Sequence, residues 1–202
     1  MENKEKDWTG NKNSTFSTLG ASNHSNYERA DRDFYATSPI AIDGLLKYET
    51  FNNRIWENSC GNGHLSKRLI EFGYDVKSSD IVQRDYPCEI IDFLLADKKD
   101  CDGRSIIMNP PYKYSIEFLE KALEVLSPGG KVAMFLKITF LEGQKRRKLF
   151  DKYPPKKVCV FSKRIQVARN GDLEMFEKSS AACYAWFIWE KGCIFEPIIK
   201  WI

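Results

Sequence analysis

The chain has 202 residues, enough for one domain with a substantial core, and its aromatic content of 13% argues against a mostly disordered polymer. A formal net charge of +3 permits nucleic-acid binding without requiring it, because local patches matter more than the sum. The cysteines (Cys60, Cys88, Cys101, Cys159, Cys183, Cys193) include no C-x-x-C pair, and only His24 and His64 could assist a metal, so neither a metal site nor a disulfide framework is expected.

No apolar run is long enough to span a bilayer, and the N-terminus is polar with no apolar signal segment. A reducing, cytoplasmic setting is the simplest expectation. Residues 1–32 are rich in Asn, Ser, Thr, Lys and Glu with little apolar periodicity, and read as a flexible polar tail. A single domain is expected over 33–202.

That domain opens on two aromatics, Phe34 and Tyr35. Ser38 as N-cap and Pro39 in the first turn predict a helix to about Tyr48, with Ile42, Leu45 and Leu46 facing inward. Strands are expected at 54–57, 74–79, 89–91, 104–108, 131–137, 157–161 and 181–189. Helices are expected at 64–72, 115–126 and 142–152. Strands alternating with helices predict a doubly wound, Rossmann-like α/β fold. Its sheet should be mostly parallel and seven-stranded, with the last pair forming an antiparallel edge hairpin.

Three strand ends carry chemistry. Glu57-Asn58-Ser59-Cys60-Gly61-Asn62-Gly63 joins a strand to a helix, where glycines let a backbone approach a ligand closely. The third position of a G-x-G-x-x-G pattern is Ser66 here. Asp80 ends the next strand and can accept hydrogen bonds from a ribose diol. Asp92-Phe93 ends the third, where an acid and a ring could bind an adenine edge, although such a dipeptide also serves as a helix cap and a core aromatic.

Asn109-Pro110-Pro111-Tyr112 follows the apolar run Ser105-Ile106-Ile107-Met108, at the carboxyl end of a strand, where open α/β sheets bind ligands. Two prolines fix φ twice and remove two donors. The loop therefore presents an amide, carbonyl acceptors and an aromatic ring in fixed relation, which suits a planar group bearing an NH2.

These elements resemble the class I S-adenosylmethionine-dependent methyltransferases in order and spacing. The Asn-Pro-Pro-Tyr loop is similar to that of the amino-methyltransferases, above all the DNA adenine-N6 enzymes of phages and prophages. Phe34-Tyr35-x-Thr37-x-Pro39 looks like the cofactor-binding segment that precedes the glycine loop in many of them. The resemblance covers residue 33 to the end. It departs at Asn58, where many relatives have proline, and in lacking an obvious large target-recognition domain.

The resemblance implies S-adenosylmethionine as cofactor, held by Tyr35, Thr37, Glu57, Cys60, Gly61, Gly63, Asp80, Ile81, Asp92, Phe93 and Asn109. Asn109, Pro110, Pro111 and Tyr112 form the implied catalytic loop. Asn109 and the Pro110 carbonyl would accept the two N–H bonds of an exocyclic amine, with Tyr112 stacked on its base. DNA is the expected partner. RNA adenine or guanine and protein glutamine are the alternatives with the same chemistry, and a non-catalytic nucleic-acid-binding protein is the alternative of another class.

Lys137, Arg164, Arg169 and Asn170 are the candidate substrate contacts, the last three in a polar stretch (162–180) that interrupts the sheet. Lys145, Arg146, Arg147 and Lys148 read as a solvated helix face. Trp186, Trp189 and Trp201 read as core or edge packing.

Overall fold

A computed structural model of the protein describes residues 35–169, 182–194 and 196–202. The expected tail, Asn170 and the rest of the polar stretch to 181 lie outside the described residues. For Tyr35 and Arg169 the description extends to the backbone alone.

In chain order the elements are β1 (Tyr35–Thr37), α1 (Ile40–Tyr48), β2 (Arg54–Glu57), α2 (His64–Glu71), β3 (Asp75–Asp80), β4 (Glu89–Ile90), α3 (Lys98–Cys101) and β5 (Ser105–Met108). Then follow α4 (Ser115–Val125), β6 (Lys131–Lys137), α5 (Gln144–Lys152), β7 (Lys157–Val160), β8 (Val167–Arg169), β9 (Tyr184–Glu190) and β10 (Ile198–Trp201). One sheet of eight strands has the order β10-β7-β9-β6-β5-β2-β3-β4, and β1 and β8 form a separate antiparallel pair. Within the large sheet β9 alone runs against the other strands.

The alternation of side chains along these strands builds two cores. Along β6, Val132, Met134 and Leu136 face one layer with Phe118, Leu119 and Ala122 of α4 and Leu149 of α5. Ala133 and Phe135 face the other, with Ala41, Ile42 and Leu45 of α1 and Leu65 and Leu69 of α2. Strands β5 and β9 divide in the same way: Ile106 and Met108 against Ile107, and Phe187 and Trp189 against Trp186 and Ile188. The central strands of the sheet are therefore covered on both faces.

The C-terminal strands differ from the expected edge hairpin. Strand β9 lies inside the sheet, antiparallel to both β6 and β7, and β10 is the edge, parallel to β7. The physical reason lies in β9 itself. Its residues from Tyr184 to Trp189 are all buried, and a strand buried on both faces has no place at an edge. Strand β10 is exposed throughout and follows Pro197, which suits an edge and carries no alternating signal to read. Trp186 and Trp189 are core residues, whereas Trp201 is 68% exposed on the edge strand.

The chain leaves β2 for β3 and β4 on one side, then returns to place β5 on the other side of β2. The direction of winding reverses between β2 and β5, the position at which open α/β sheets form a crevice. The sheet's stability rests on side chains such as Phe135, fully buried and in ring contact with Phe161, Tyr184 and Trp186. Phe135→Ala should cost about 3–5 kcal/mol, read as a lower denaturant midpoint with an unchanged slope.

Candidate functional site

The two loops at this crevice are the glycine turn after β2 and the Asn-Pro-Pro-Tyr turn after β5. Gly61 and Gly63 have φ of 53° and 71°, the left-handed region that side chains disfavour. The turn is anchored to β3: Cys60 N donates to Ser79 O at 3.0 Å, and Gly61 N donates to the Asp80 carboxylate at 2.9 Å. The other Asp80 oxygen accepts Val82 N at 3.2 Å. Each oxygen retains a lone pair, so Asp80 holds the loop and can still accept from a diol.

At Gly63 the close approach comes from the protein. A Cβ there would lie 2.4 Å from the Tyr86 ring, which the segment after β3 lays across the turn. Tyr86 was not legible as a site residue, because nothing in its local pattern marks it. The buried Cys60 thiol lies in the same turn, its pKa pushed up by burial and by Glu57 and Cys88.

Hydrogen bonds join the separate motifs. Ser59 Oγ donates to the Asn109 carbonyl at 3.1 Å, which ties the glycine turn to the Asn-Pro-Pro-Tyr turn. Asn109 Nδ2 donates to Thr37 Oγ1 at 2.8 Å, which ties that turn to β1. Thr37 is 2% exposed, so this bond is shielded from water. It also decides which end of the amide is which: the nitrogen is committed to Thr37, and the oxygen is the acceptor end. The Pro111 carbonyl accepts Tyr114 N at 2.9 Å and closes the turn, while no described backbone donor reaches the carbonyl of Pro110.

Tyr112 is half-buried and bridges the two cores. Its ring lies 6.2 Å from that of Tyr184, which stacks on Phe135 at 4.9 Å, and Lys137 Nζ sits 5.9 Å from the Tyr112 ring. Lys137 is thus brought to the turn. Tyr184 was read only as part of a strand, and its place became visible once β9 paired with β6, setting Tyr184 opposite Lys137. The pairing of β1 with β8 aligns Tyr35 with Arg169 and Thr37 with Val167. One flank of the polar stretch therefore runs beside the Thr37 end of the site.

Glu57 is the electrostatic anomaly. It is 1% exposed and accepts a hydrogen bond from Ser66, whose hydroxyl lies 2.6 Å from that of Ser78. Among the described residues no cation pairs with it. Burial, with the Asp80 charge adding to it and the Ser66 hydrogen bond opposing it, pushes its pKa up to about 8. Ser66, the residue that breaks the glycine pattern, is therefore the hydroxyl that satisfies this acid. Next to it Asn58 is 2% exposed, with neither Oδ1 nor Nδ2 hydrogen-bonded among the described residues. A buried carboxyl without a cation beside an unsatisfied amide is costly, which makes the end of β2 a candidate functional site.

The remaining candidates divide. Asp92 caps a short turn, accepting Leu94 N at 3.0 Å. Phe93 is 2% exposed and packs on Trp56 and Phe118, so its ring belongs to the core and presents no open face to a ligand. Ile81, beside Asp80, is 62% exposed and available to an apolar ring. Arg164 is exposed on the stretch between β7 and β8. In the basic helix, Arg147 pairs with Asp151 at 2.8 Å and Arg146 donates to the Thr139 and Glu142 carbonyls, as expected of a solvated face.

Among the described residues no group of three or more His, Cys, Asp or Glu side chains converges, and no helix is long and apolar enough to cross a membrane.

No protein-family model and no curated protein sequence matches the chain. Its fold matches solved structures. A candidate hemolysin from Lactococcus lactis superposes with a TM-score of 0.57 at 13% identity, over 87% of this chain and 95% of that one. A candidate class I S-adenosylmethionine-dependent methyltransferase from Listeria monocytogenes gives 0.54 at 14% identity, over 93% and 71%. The type IIG restriction endonuclease BpuSI gives 0.51 at 15% identity, over 74% of this chain and 24% of that one.

The buried acid makes a prediction about stability. Below about pH 4.5 Glu57 is protonated whether the chain is folded or not. As the pH rises from there to about 8, the unfolded chain releases the proton and the folded chain keeps it, so stability falls across that window. Glu57→Gln should therefore raise the melting temperature at pH 8 and leave it nearly unchanged at pH 4.5. An equal effect at both values would contradict the assignment. The comparisons and the topology together establish a Rossmann-like α/β fold with a mostly parallel sheet of eight strands, similar to that of a candidate S-adenosylmethionine-dependent methyltransferase.

Proposed function

We propose that the protein is an S-adenosylmethionine-dependent methyltransferase that methylates the N6 amino group of adenine in DNA. The observation that carries this reading is the fixed amide of Asn109. Its nitrogen is held by Thr37, its backbone carbonyl by Ser59, and its oxygen is the acceptor end at the carboxyl edge of β5.

The residues present fit the cofactor. Glu57 is a buried acid with no cation among the described residues, and a cofactor ammonium would supply the missing charge. Asp80 retains lone pairs for a ribose, Ile81 offers an exposed apolar side chain, and Gly61 gives close backbone access. Tyr35, Thr37, Cys60, Gly63 and Asp92 border the same edge. S-adenosylmethionine, when bound, supplies an electrophilic methyl group on a sulfonium.

The chain's own part is positioning and electrostatics. An exocyclic amine is a poor nucleophile because its lone pair is delocalised into the ring. Asn109 Oδ1 and the Pro110 carbonyl accept its two N–H bonds and localise that pair. Pro111 stiffens the turn. Tyr112 stacks on the base, which must leave the duplex to reach the turn. Lys137 beside Tyr112 and the exposed Arg164 before β8 provide cations for the phosphate backbone, and Arg169 and Asn170 of the same polar stretch of the sequence are the further candidates. The likeness in fold to a restriction endonuclease is in keeping with a DNA substrate.

Labelled S-adenosylmethionine incubated with unmethylated DNA, RNA and protein, followed by digestion, identifies the acceptor. Label on the N6 atom of DNA adenine is the expected result, and label on cytosine or on protein alone contradicts it. Asn109→Ala should lower kcat by about 10²–10³-fold while the cofactor Kd stays near normal. Thr37→Val, which removes the acceptor that orients the amide, should lower kcat by about tenfold; full activity would show that the amide needs no such support.

A further inference from the structure

The amino ends of the strands, at the opposite edge from the crevice, hold a second feature that methyl transfer does not use. A cleft of about 590 Å³ lies beside Tyr48, within the size range of ligand sites. Lys47, Lys156, Lys157 and Lys200 line it, together with Tyr48 and Glu49.

The cluster is organised by one buried acid. Glu49 is 7% exposed; one oxygen accepts Lys131 Nζ at 2.6 Å and the other Lys157 Nζ at 2.7 Å. Burial alone would raise its pKa, but the two lysines outweigh burial and hold it below the ordinary carboxylate value, so it stays ionised. Lys157 also donates to the Tyr48 carbonyl at 2.7 Å, which leaves one N–H for the cleft. Lys156 pairs with Glu190 at 2.8 Å.

Lys47 and Lys200 are different. Their ammonium groups sit 5.5 Å and 5.2 Å from the same Tyr48 ring, and neither has a carboxylate partner among the described residues. Five lysines in and behind the cleft face two carboxylates, Glu49 and Glu190, so the pocket is net positive. Its anchored members have fixed positions, and its outer members keep all their donors.

We propose that this cleft binds phosphate groups, either those of a free oligophosphate or those of a nucleic-acid backbone. Ammonium groups act as point charges toward tetrahedral, multiply charged anions, and several of them converge here around one open volume. The site lies at the opposite edge from the crevice, so a phosphate chain held here leaves the Asn109 edge accessible.

The test titrates the intact protein with tripolyphosphate and with a short labelled DNA oligonucleotide, at low and moderate salt, against the double variant Lys47→Ala, Lys200→Ala. Both side chains are exposed, and an unchanged melting temperature and S-adenosylmethionine affinity verify that the variant is folded. Tripolyphosphate should bind the wild type, and the double variant should bind about tenfold or more weakly. Lys47→Arg, Lys200→Arg should retain most of the affinity. If the backbone of a nucleic acid is the natural source, the oligonucleotide competes with tripolyphosphate, and its salt slope falls by about two in the double variant. If only oligophosphate binding responds to the variant, the free anion is the source. Absence of tripolyphosphate binding, or equal binding by wild type and double variant, overturns the proposal, and does so whatever the outcome of the methyl-transfer assay.

Discussion

Asn109 is held by hydrogen bonds from two directions, and the arrangement of the crevice depends on it. Its side-chain nitrogen reaches Thr37 on the short ribbon of β1 and β8, and its carbonyl receives Ser59 from the glycine turn. Three segments far apart in sequence are thereby registered on one residue. The prolines that follow cannot relax into a helix, so the registration passes to Tyr112, whose ring packs between Lys137 and Tyr184.

Around this tie the fold keeps groups that a purely structural design would discard. Glu57 could be an apolar residue at the end of a buried strand, and Asn58 could be a residue with no polar atoms to satisfy. Instead, among the described residues, a carboxyl stays buried beside a hydroxyl with no cation partner, and an amide stays buried with both ends unmatched. The sheet tolerates this because its cores are continuous on both faces, from Ile55 and Trp56 across to Trp186 and Phe187. Stability gathered along β6 and β9 offsets what is lost at the end of β2.

Much of the architecture was legible because strands and helices alternate with clear turn chemistry. Buried runs such as Ser105–Met108 and Lys131–Lys137 read as interior strands, and both lie inside the sheet. The placement of β9 was harder, since an apolar run gives burial but not neighbours; the buried residues at Tyr184–Trp189 do point to an interior strand, although their position in the chain suggested an edge. Strand β10 and the β1–β8 ribbon carry too few residues to show a period. In the site, the motif residues announced themselves by type and spacing. Their companions did not: Tyr86 over Gly63, Ser66 on Glu57 and Tyr184 beside Tyr112 are contacts made by pairing and packing between distant segments. Phe93 shows the reverse case, a residue marked by its motif whose ring is committed to the core.

The carboxyl edge carries acids on one side of the crevice, Glu57, Asp80 and Asp92 at or just after three successive strand ends, and Lys137 beside Tyr112 on the other. At the amino edge lysines gather around Glu49. The acids suit a cationic donor, and the lysines suit anions. The most direct test of the account is the crystallographic position of S-adenosylhomocysteine bound to the protein. The account predicts density at the ends of β2 and β3, with the ligand's amino group toward Glu57, its ribose on Asp80 and its sulfur toward Asn109. Density at any other place, or a complex in which Asn109 has left Thr37 and Ser59, would contradict it.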